Sequence, residues 1–276
     1  MAKAKIIVHC LIKNEENFIW YALNSVLPYV AKIMVWDTGS KDKTIEIVKL
    51  INSPKIEFQE VHSINAKEHP QMRNKMLEAT DKTKYRWLMI LDGDEIWPSK
   101  NLKKVISHLE AHPDTQAVFM RTINAVGDIY HKRVNSAGHY HLKGMTGSLN
   151  LRFMNLKTIS GLHAKHPHGQ EGYYSEDNVL VQDLPKVDFV DTAYLHTTRL
   201  RRSPLDKVTL KRKGKRKFEL GKRIPNNQLP EILFVKRPAI VPDATQPMDL
   251  WTFLHCALLT IPRRLRRKFI KLSEGY

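Results

Sequence analysis

The stretch Trp87-Leu88-Met89-Ile90-Leu91-Asp92-Gly93-Asp94-Glu95-Ile96-Trp97-Pro98 sets five apolar residues directly against three carboxylates. The apolar run 87–91 reads as a buried strand, stopped abruptly by the acidic turn. Three carboxylates crowded within four residues are costly unless a cation is near. Hard divalent ions such as Mg2+ or Mn2+ take oxygen ligands, commonly one or two carboxylates plus substrate phosphates. Gly93 would let the backbone turn so that Asp92 and Asp94 both face one pocket. The same acidic turn also suits the start of a helix, where carboxylates are favoured.

On either side the chain alternates. Strands are predicted at Ala4–Leu11, Ile33–Trp36, Lys55–Val61 and Ala117–Thr122. Helices are predicted over Asn17–Val26, Asp42–Ile51, His69–Thr80 and from Pro98-Ser99 to about His112, with Pro70 suited to a first helical turn. This order implies βαβ units and a mostly parallel sheet, whose ligands bind beyond the carboxyl ends of the strands. The polar clusters at 13–16, 37–42 and 92–95 all follow strands directly and so share one rim. In Asp37-Thr38-Gly39-Ser40 the carboxylate serves either a capped turn or the base or ribose of a ligand. Asn14 and Glu15, within Lys13-Asn14-Glu15-Glu16, carry the same two readings. Arg73 either forks onto a diphosphate or stands as a solvated surface arginine.

Beyond residue 123 glycines and histidines interrupt the pattern, until Val187–Leu195 forms a strand leading to His196. The 276 residues, 42% hydrophobic, allow one large domain or one domain with an appendage, and exclude wholesale disorder. Cys10 and Cys256 offer neither a zinc spacing nor a disulfide framework, which favours a reducing compartment. The first residues show no signal-peptide pattern, and no apolar run reaches the ~18 residues of a spanning helix.

Charge is unevenly placed. Of a net +17, residues 199–276 supply 20 Lys and Arg against 6 Asp and Glu. Such a segment suits an anionic partner: a membrane surface, nucleic acid or a phosphate-bearing substrate. Phe218 is the only aromatic residue between 199 and 233, too few to stack bases, so no nucleic acid is expected. Trp251–Lys271 is apolar first and basic after, which suits either a helix lying in a membrane interface or a packing helix with a basic end.

Taken in order, "KNEE" at 13–16, "VWDTGSKDKTIEI" at 35–47, "QMRNKML" at 71–77 and "WLMILDGDEIWP" at 87–98 resemble glycosyltransferase family 2, nucleotide-sugar transferases of the GT-A fold. The resemblance covers residues 5–122. It implies that Asp37 touches the nucleobase, that Asp92 and Asp94 hold the ribose and the metal-bound diphosphate, and that Arg73 lies beside the nucleotide. Asn14 and Glu15 join the donor-binding set. More loosely, "LRFMN", "SGLH" at 160–163 and "AYLHTT" at 193–198 resemble a branch in which a terminal histidine, here His196, completes the metal site. Ala164 stands where that branch has glutamate, so its base does not carry over. Ser175-Glu176-Asp177 resembles the acidic pair of other branches, making Asp177 and the nearby Glu171 the candidates for the base.

The expectation is therefore an α/β GT-A domain over 1–198, with a nucleotide-sugar half to residue 122 and an acceptor-side half after it, followed by a basic extension over 199–276. It would use Mn2+ or Mg2+ to move a sugar from a nucleoside-diphosphate donor to a glycan or lipid-linked acceptor, in cell-envelope synthesis. Inversion is implied by the resemblance. The place would be cytoplasmic, at the inner face of the membrane through the basic C-terminus. The alternatives are a non-catalytic polyanion or nucleic-acid binder on a degenerate fold, which intact Asp92 and Asp94 oppose, and a nucleotidyltransferase. The latter usually shows a glycine-rich phosphate loop, and residues 1–30 contain none.

Overall fold

All seven residues of Ile6–Ile12 (β1) are buried, as a central strand of a parallel sheet covered on both faces requires. In the computed structural model, which describes residues 4–133, 140–207 and 220–269, Lys32–Asp37 (β2) and Trp87–Ile90 (β4) flank β1 in parallel. Ile56–Glu60 (β3) pairs with β2 and forms the sheet edge. The connecting helices are Ile19–Val26 (α1), Thr44–Leu50 (α2) and His69–Glu78 (α3). The first ends with Leu27, still helical and donating to the Leu23 carbonyl, because Pro28 has no N–H to continue the ladder. Pro70 lies in the first turn of α3, where its missing N–H costs nothing.

After β4 come Glu95–Ile96 (β5), Ser99–Ala111 (α4), Ala117–Val126 (β6) and Asp128–Lys132 (β7). They are followed by Tyr140–Leu142 (β8), Met145–Gly147 (β9), Leu149–Asn155 (β10), His163–Lys165 (β11), Gly172–Tyr174 (β12) and Val187–His196 (β13). The chain closes with Lys222–Arg223 (β14) and the helix Leu250–Phe269 (α5). The main sheet runs β3-β2-β1-β4-β10-β6-β7-β14. The architecture is the α/β class expected.

Two pairings place the functional residues. Strand β10 enters antiparallel between β4 and β6, and its register slips between Leu151 and Phe153. Arg152 is the residue left over at that bulge, a device that re-aims a side chain. Strand β13 runs parallel to β6, and its last residues pair antiparallel with β5, setting His196 opposite Glu95. Behind this junction Trp97 stacks on Tyr194 at 4.7 Å and meets Phe153 edge-on at 5.9 Å. Aromatic pairs of this kind contribute about 0.5–1.5 kcal/mol each beyond their burial.

Residues after 198 do not stand apart. Leu200, Ile224, Leu229, Leu233 and Val241 are buried in the cluster that holds β1 and α1. The Tyr21 hydroxyl donates to the Pro242 carbonyl at 2.9 Å, and β14 pairs with β7. The basic run 211–217, with Phe218, and residues 270–276 lie outside the described residues.

Candidate active site

The rim loops are tied to one another by their own polar groups. Asn14 adopts φ 54°; its N–H donates to Ser40 Oγ at 2.8 Å and its Oδ1 accepts from the Lys41 N–H at 2.8 Å. The Glu15 N–H donates to Thr44 Oγ1 at 2.7 Å, and Glu16 accepts from the Lys43 N–H at 2.9 Å. Asp37 is fully buried and accepts from the N–H groups of Gly39 and Ser40 and from the Ser40 hydroxyl. Asn14 and Asp37 thus brace the wall of the rim, while the neighbouring Thr38 and Glu15 line its cleft.

In the acidic turn, Gly93 is required for a steric reason rather than for an unusual backbone angle. A Cβ there would meet Glu15 Cγ at 2.7 Å. Asp94 is only 2% exposed. Its Oδ2 receives Arg202 Nη1 at 3.1 Å and its Oδ1 faces His196 Nε2 at 3.4 Å. Burial works to raise the Asp94 carboxyl, but Arg202 and His196 outweigh it and hold it well below the usual range. His196 is pushed down by burial and raised further by Asp94, for a net rise. Arg202 also pairs with Glu15, whose carboxyl burial drives upward. Asp92 accepts from Arg152 at 3.0 Å and lies 3.5 Å from Arg73, and Arg152 is also paired with the buried Glu95. Tyr194 steadies Arg152 by accepting from its Nε at 3.1 Å.

Two cavities meet here. One, of about 380 Å³, is lined by Lys13, Glu15, Thr38, Asp94, His196 and Arg202 among others. The second, of about 350 Å³, extends along Asn150, Arg152, Tyr173 and Gln182. Arg73, Asp92, His168 and Glu171 line both and form the wall between them. Burial opposes the Arg73 charge, but Tyr173, Glu171 and Asp92 raise its pKa above the usual arginine value. Its Nη1 is buried with no hydrogen-bond partner among the described residues.

The sequence-derived residues divide accordingly. Glu15, Arg73, Asp92, Asp94 and His196 come together at the first cavity, with Glu171 at the shared wall. Asp177 is exposed in the turn after β12 and lines neither cavity. Arg152, Arg202 and His69 were not anticipated individually. Arg152 was legible as the lone charged residue in Leu149–Asn155; Arg202 was hidden in a basic block that suits a phosphate-bearing substrate or an anionic membrane without singling out one arginine.

An acidic turn at the carboxyl end of a parallel strand, beside a cleft with buried arginines, is the layout of a nucleotide-diphosphate-binding α/β protein. The chain belongs to glycosyl transferase family 2, whose sequence profile matches residues 8–164. Among solved structures it is similar to S. aureus TarS 1–349, at 15% identity and a TM-score of 0.46, covering 70% of this chain and 60% of that one. It is also similar to glucosyl-3-phosphoglycerate synthase from Mycobacterium tuberculosis, solved with Mn2+, uridine diphosphate and phosphoglyceric acid. That match has 18% identity and a TM-score of 0.46, covering 74% of this chain and 73% of the other. The chain thus spans less than two thirds of the TarS structure. No curated protein sequence matches it.

Proposed function

We propose that this chain transfers a sugar from a nucleoside-diphosphate donor to an acceptor hydroxyl, with Mn2+ or Mg2+ as cofactor and with inversion at the anomeric carbon. The observation that carries this reading is the pair of cavities sharing the wall Arg73–Asp92–Glu171. Donor and acceptor bound on its two sides would meet at that wall, so binding itself would lower the entropic barrier to reaction.

The donor set fits a divalent ion. Asp94 Oδ1 and His196 Nε2 face each other closely enough to share one, Asp92 lines the same cavity, and an imidazole favours Mn2+ over Mg2+. Asp92, Asp94 and His196 would hold the ion, which would supply charge neutralisation for the diphosphate leaving group. The unpartnered Nη1 of Arg73 supplies a further donor to that anion. Asp37 and Asn14 act by holding the nucleoside wall. Glu171 rather than Asp177 is the carboxylate at the acceptor side, since it alone of the two lines the cavities.

The acceptor reading, a glycan or lipid-linked saccharide of the cell envelope reached from the cytoplasmic membrane face, rests on α5. Trp251, Leu254, Leu258, Ile261 and Leu265 recur at helical spacing and are exposed, Trp251 at 82%. Cys256 and Thr260 on the other face are buried. An outward apolar stripe leading into Arg263–Lys268 suits contact with an anionic membrane surface. Among the described residues no helix is long and apolar enough to cross a membrane. Functionally, residues 1–122 serve the donor, 123–198 the acceptor, and 199–276 combine closure of the site by Arg202 with attachment.

The test is a panel of nucleoside-diphosphate sugars incubated with the full chain and Mn2+, reading release of free nucleoside diphosphate. Release from one or a few donors, lost with chelator, supports the reading. No metal-stimulated release from any donor, with or without saccharide acceptors, removes it.

A further inference from the structure

A second cluster of ligand atoms sits in the shared wall, apart from Asp94 and His196. His69 is the first residue of α3, Glu171 immediately precedes β12, and His168 lies in the loop between β11 and β12. That loop is anchored across the cleft by the His168 N–H donating to the Ala66 carbonyl at 2.8 Å. His69 Nδ1 is 2.5 Å from Glu171 Oε2, and His168 Nδ1 is 3.6 Å from Glu171 Oε1. The two rings lie 4.6 Å apart, and the three ligating atoms fall within 4.8 Å of one another.

An ordinary histidine–carboxylate ion pair aims the ring N–H at the oxygen. Here the two atoms are at contact distance but out of line. His69 Nδ1 and Glu171 Oε2 are both buried, and neither has a hydrogen-bond partner of acceptable geometry. Two buried polar atoms in that state would both be satisfied by a common third partner.

We propose that His69, His168 and Glu171 form a binding site for a zinc-class divalent cation in the wall between the two cavities. Two imidazoles and one carboxylate are a donor set suited to zinc, and three protein ligands leave a position open to water or a substrate oxygen. The rim site, by contrast, is richer in carboxylate oxygen, so the two sites differ in metal preference. Arg73, 4.0 Å from Glu171 Oε1 and engaged with Asp92, sets the cationic side of the wall. The bound ion fastens the 166–171 loop to the N-terminus of α3. Its open position would give the acceptor oxygen a place to bind; this consequence rests on the acceptor reading above, whereas the metal binding does not.

The test uses the full chain stripped with chelator, titrated with zinc alone by calorimetry, and with Co2+ followed by its visible absorption. One zinc equivalent is expected in the intact chain and in Asp94→Asn, which disables the rim site; His196→Ala serves if Asp94→Asn does not fold. His168→Ala and Glu171→Gln should each weaken that binding at least a hundredfold and abolish the intense tetrahedral Co2+ bands. The His168 side chain is 53% exposed and Gln is isosteric with Glu, so both variants should melt like the parent in chelator. Absence of stoichiometric zinc in the intact chain, or unchanged zinc affinity in His168→Ala, overturns the proposal and leaves an ion-pair cluster. Because the readout is the metal alone, either result stands whether or not the chain transfers sugar.

Discussion

Arg202 Nη1 lies 3.1 Å from Asp94 Oδ2 and also pairs with Glu15, so one guanidinium balances two buried carboxylates from two different rim loops. It reaches them because the Thr197 N–H donates to the Asp94 carbonyl at 2.9 Å and the Arg202 carbonyl accepts from the Asn17 N–H at 2.9 Å. The segment after β13 is stitched across the acidic turn at both ends.

Removing that charge should be costly. Breaking a buried ion pair typically destabilises by about 3–5 kcal/mol, because the partner is left uncompensated. Arg202→Gln should therefore lower the melting temperature by several degrees, and added Mn2+ should recover more of the loss than it adds to the parent. Thermal unfolding with and without Mn2+ measures both; equal melting of variant and parent would show that Arg202 is dispensable.

Asp94→Asn keeps the shape of the side chain and removes its charge. Transfer should fall by roughly 10²-fold or more, along with the metal-dependent part of nucleotide binding. Circular dichroism should show the fold retained. Undiminished Mn2+-stimulated turnover in the folded variant contradicts the rim metal site.

The two carboxylates expected as candidates for the base should separate cleanly. Asp177→Asn, in an exposed turn, is expected to change turnover little. Glu171→Gln should reduce transfer by about 10²-fold while donor affinity stays close to that of the parent. Steady-state kinetics with calorimetric donor binding decides between them, and the reverse pattern would move the chemistry to the Ser175–Asn178 turn.

His9 offers a pH test outside the cleft. It is fully buried in β1 with Nε2 2.7 Å from Thr80 Oγ1, and burial, assisted by Arg73, lowers its pKa to about 3. Between about 6.5 and 3 the unfolded chain binds this proton and the folded chain does not, so stability rises with pH across that window. Acidification should cost at most about 1.4 kcal/mol per pH unit from this group. Replacing His9 by Gln should flatten the decline in denaturant midpoint between pH 6 and pH 4; an unchanged slope would assign it to other groups.

On α5, Trp251→Glu with Leu258→Glu places charge on side chains 82% and 76% exposed. Flotation with anionic vesicles should drop sharply while the melting temperature stays near the parent value. High salt should weaken the parent's binding too, since surface attraction is screened within about 8 Å at physiological ionic strength. Equal flotation of variant and parent would assign the stripe to another partner.

The fold was most legible where one element suffices to fix its own pattern. The apolar runs of β1, β2 and β4 and the proline in α3 place the rim loops at the strand ends, and the acidic turn follows directly. What local patterning does not encode is pairing. The two-residue β5 is too short to leave a periodicity, yet it positions His196 opposite Glu95. Arg152 owes its direction to a slip in the β10 register, and Arg202 owes its burial to contacts with Glu15 and Asp94, far away in sequence. Asp37 was readable as a carboxylate at a strand end; the fold engages both its oxygens within its own turn, which the order of residues alone does not reveal.

The pairing of β13 with β5 also sets a timetable for the molecule during its synthesis. A nascent chain that has emerged only through β10 already carries Asp92, Asp94 and Arg73, but neither His196 nor Arg202 has yet been made. The acidic turn then has neither the histidine that faces Asp94 nor its balancing arginine, and the strand that brings both must close onto a residue about a hundred positions upstream. Such distant closure comes late, because loop entropy is spent before the contact forms. Competence to bind donor should consequently appear abruptly, only when residues near 200 clear the ribosome, and a shorter nascent chain would be inert toward the donors around it.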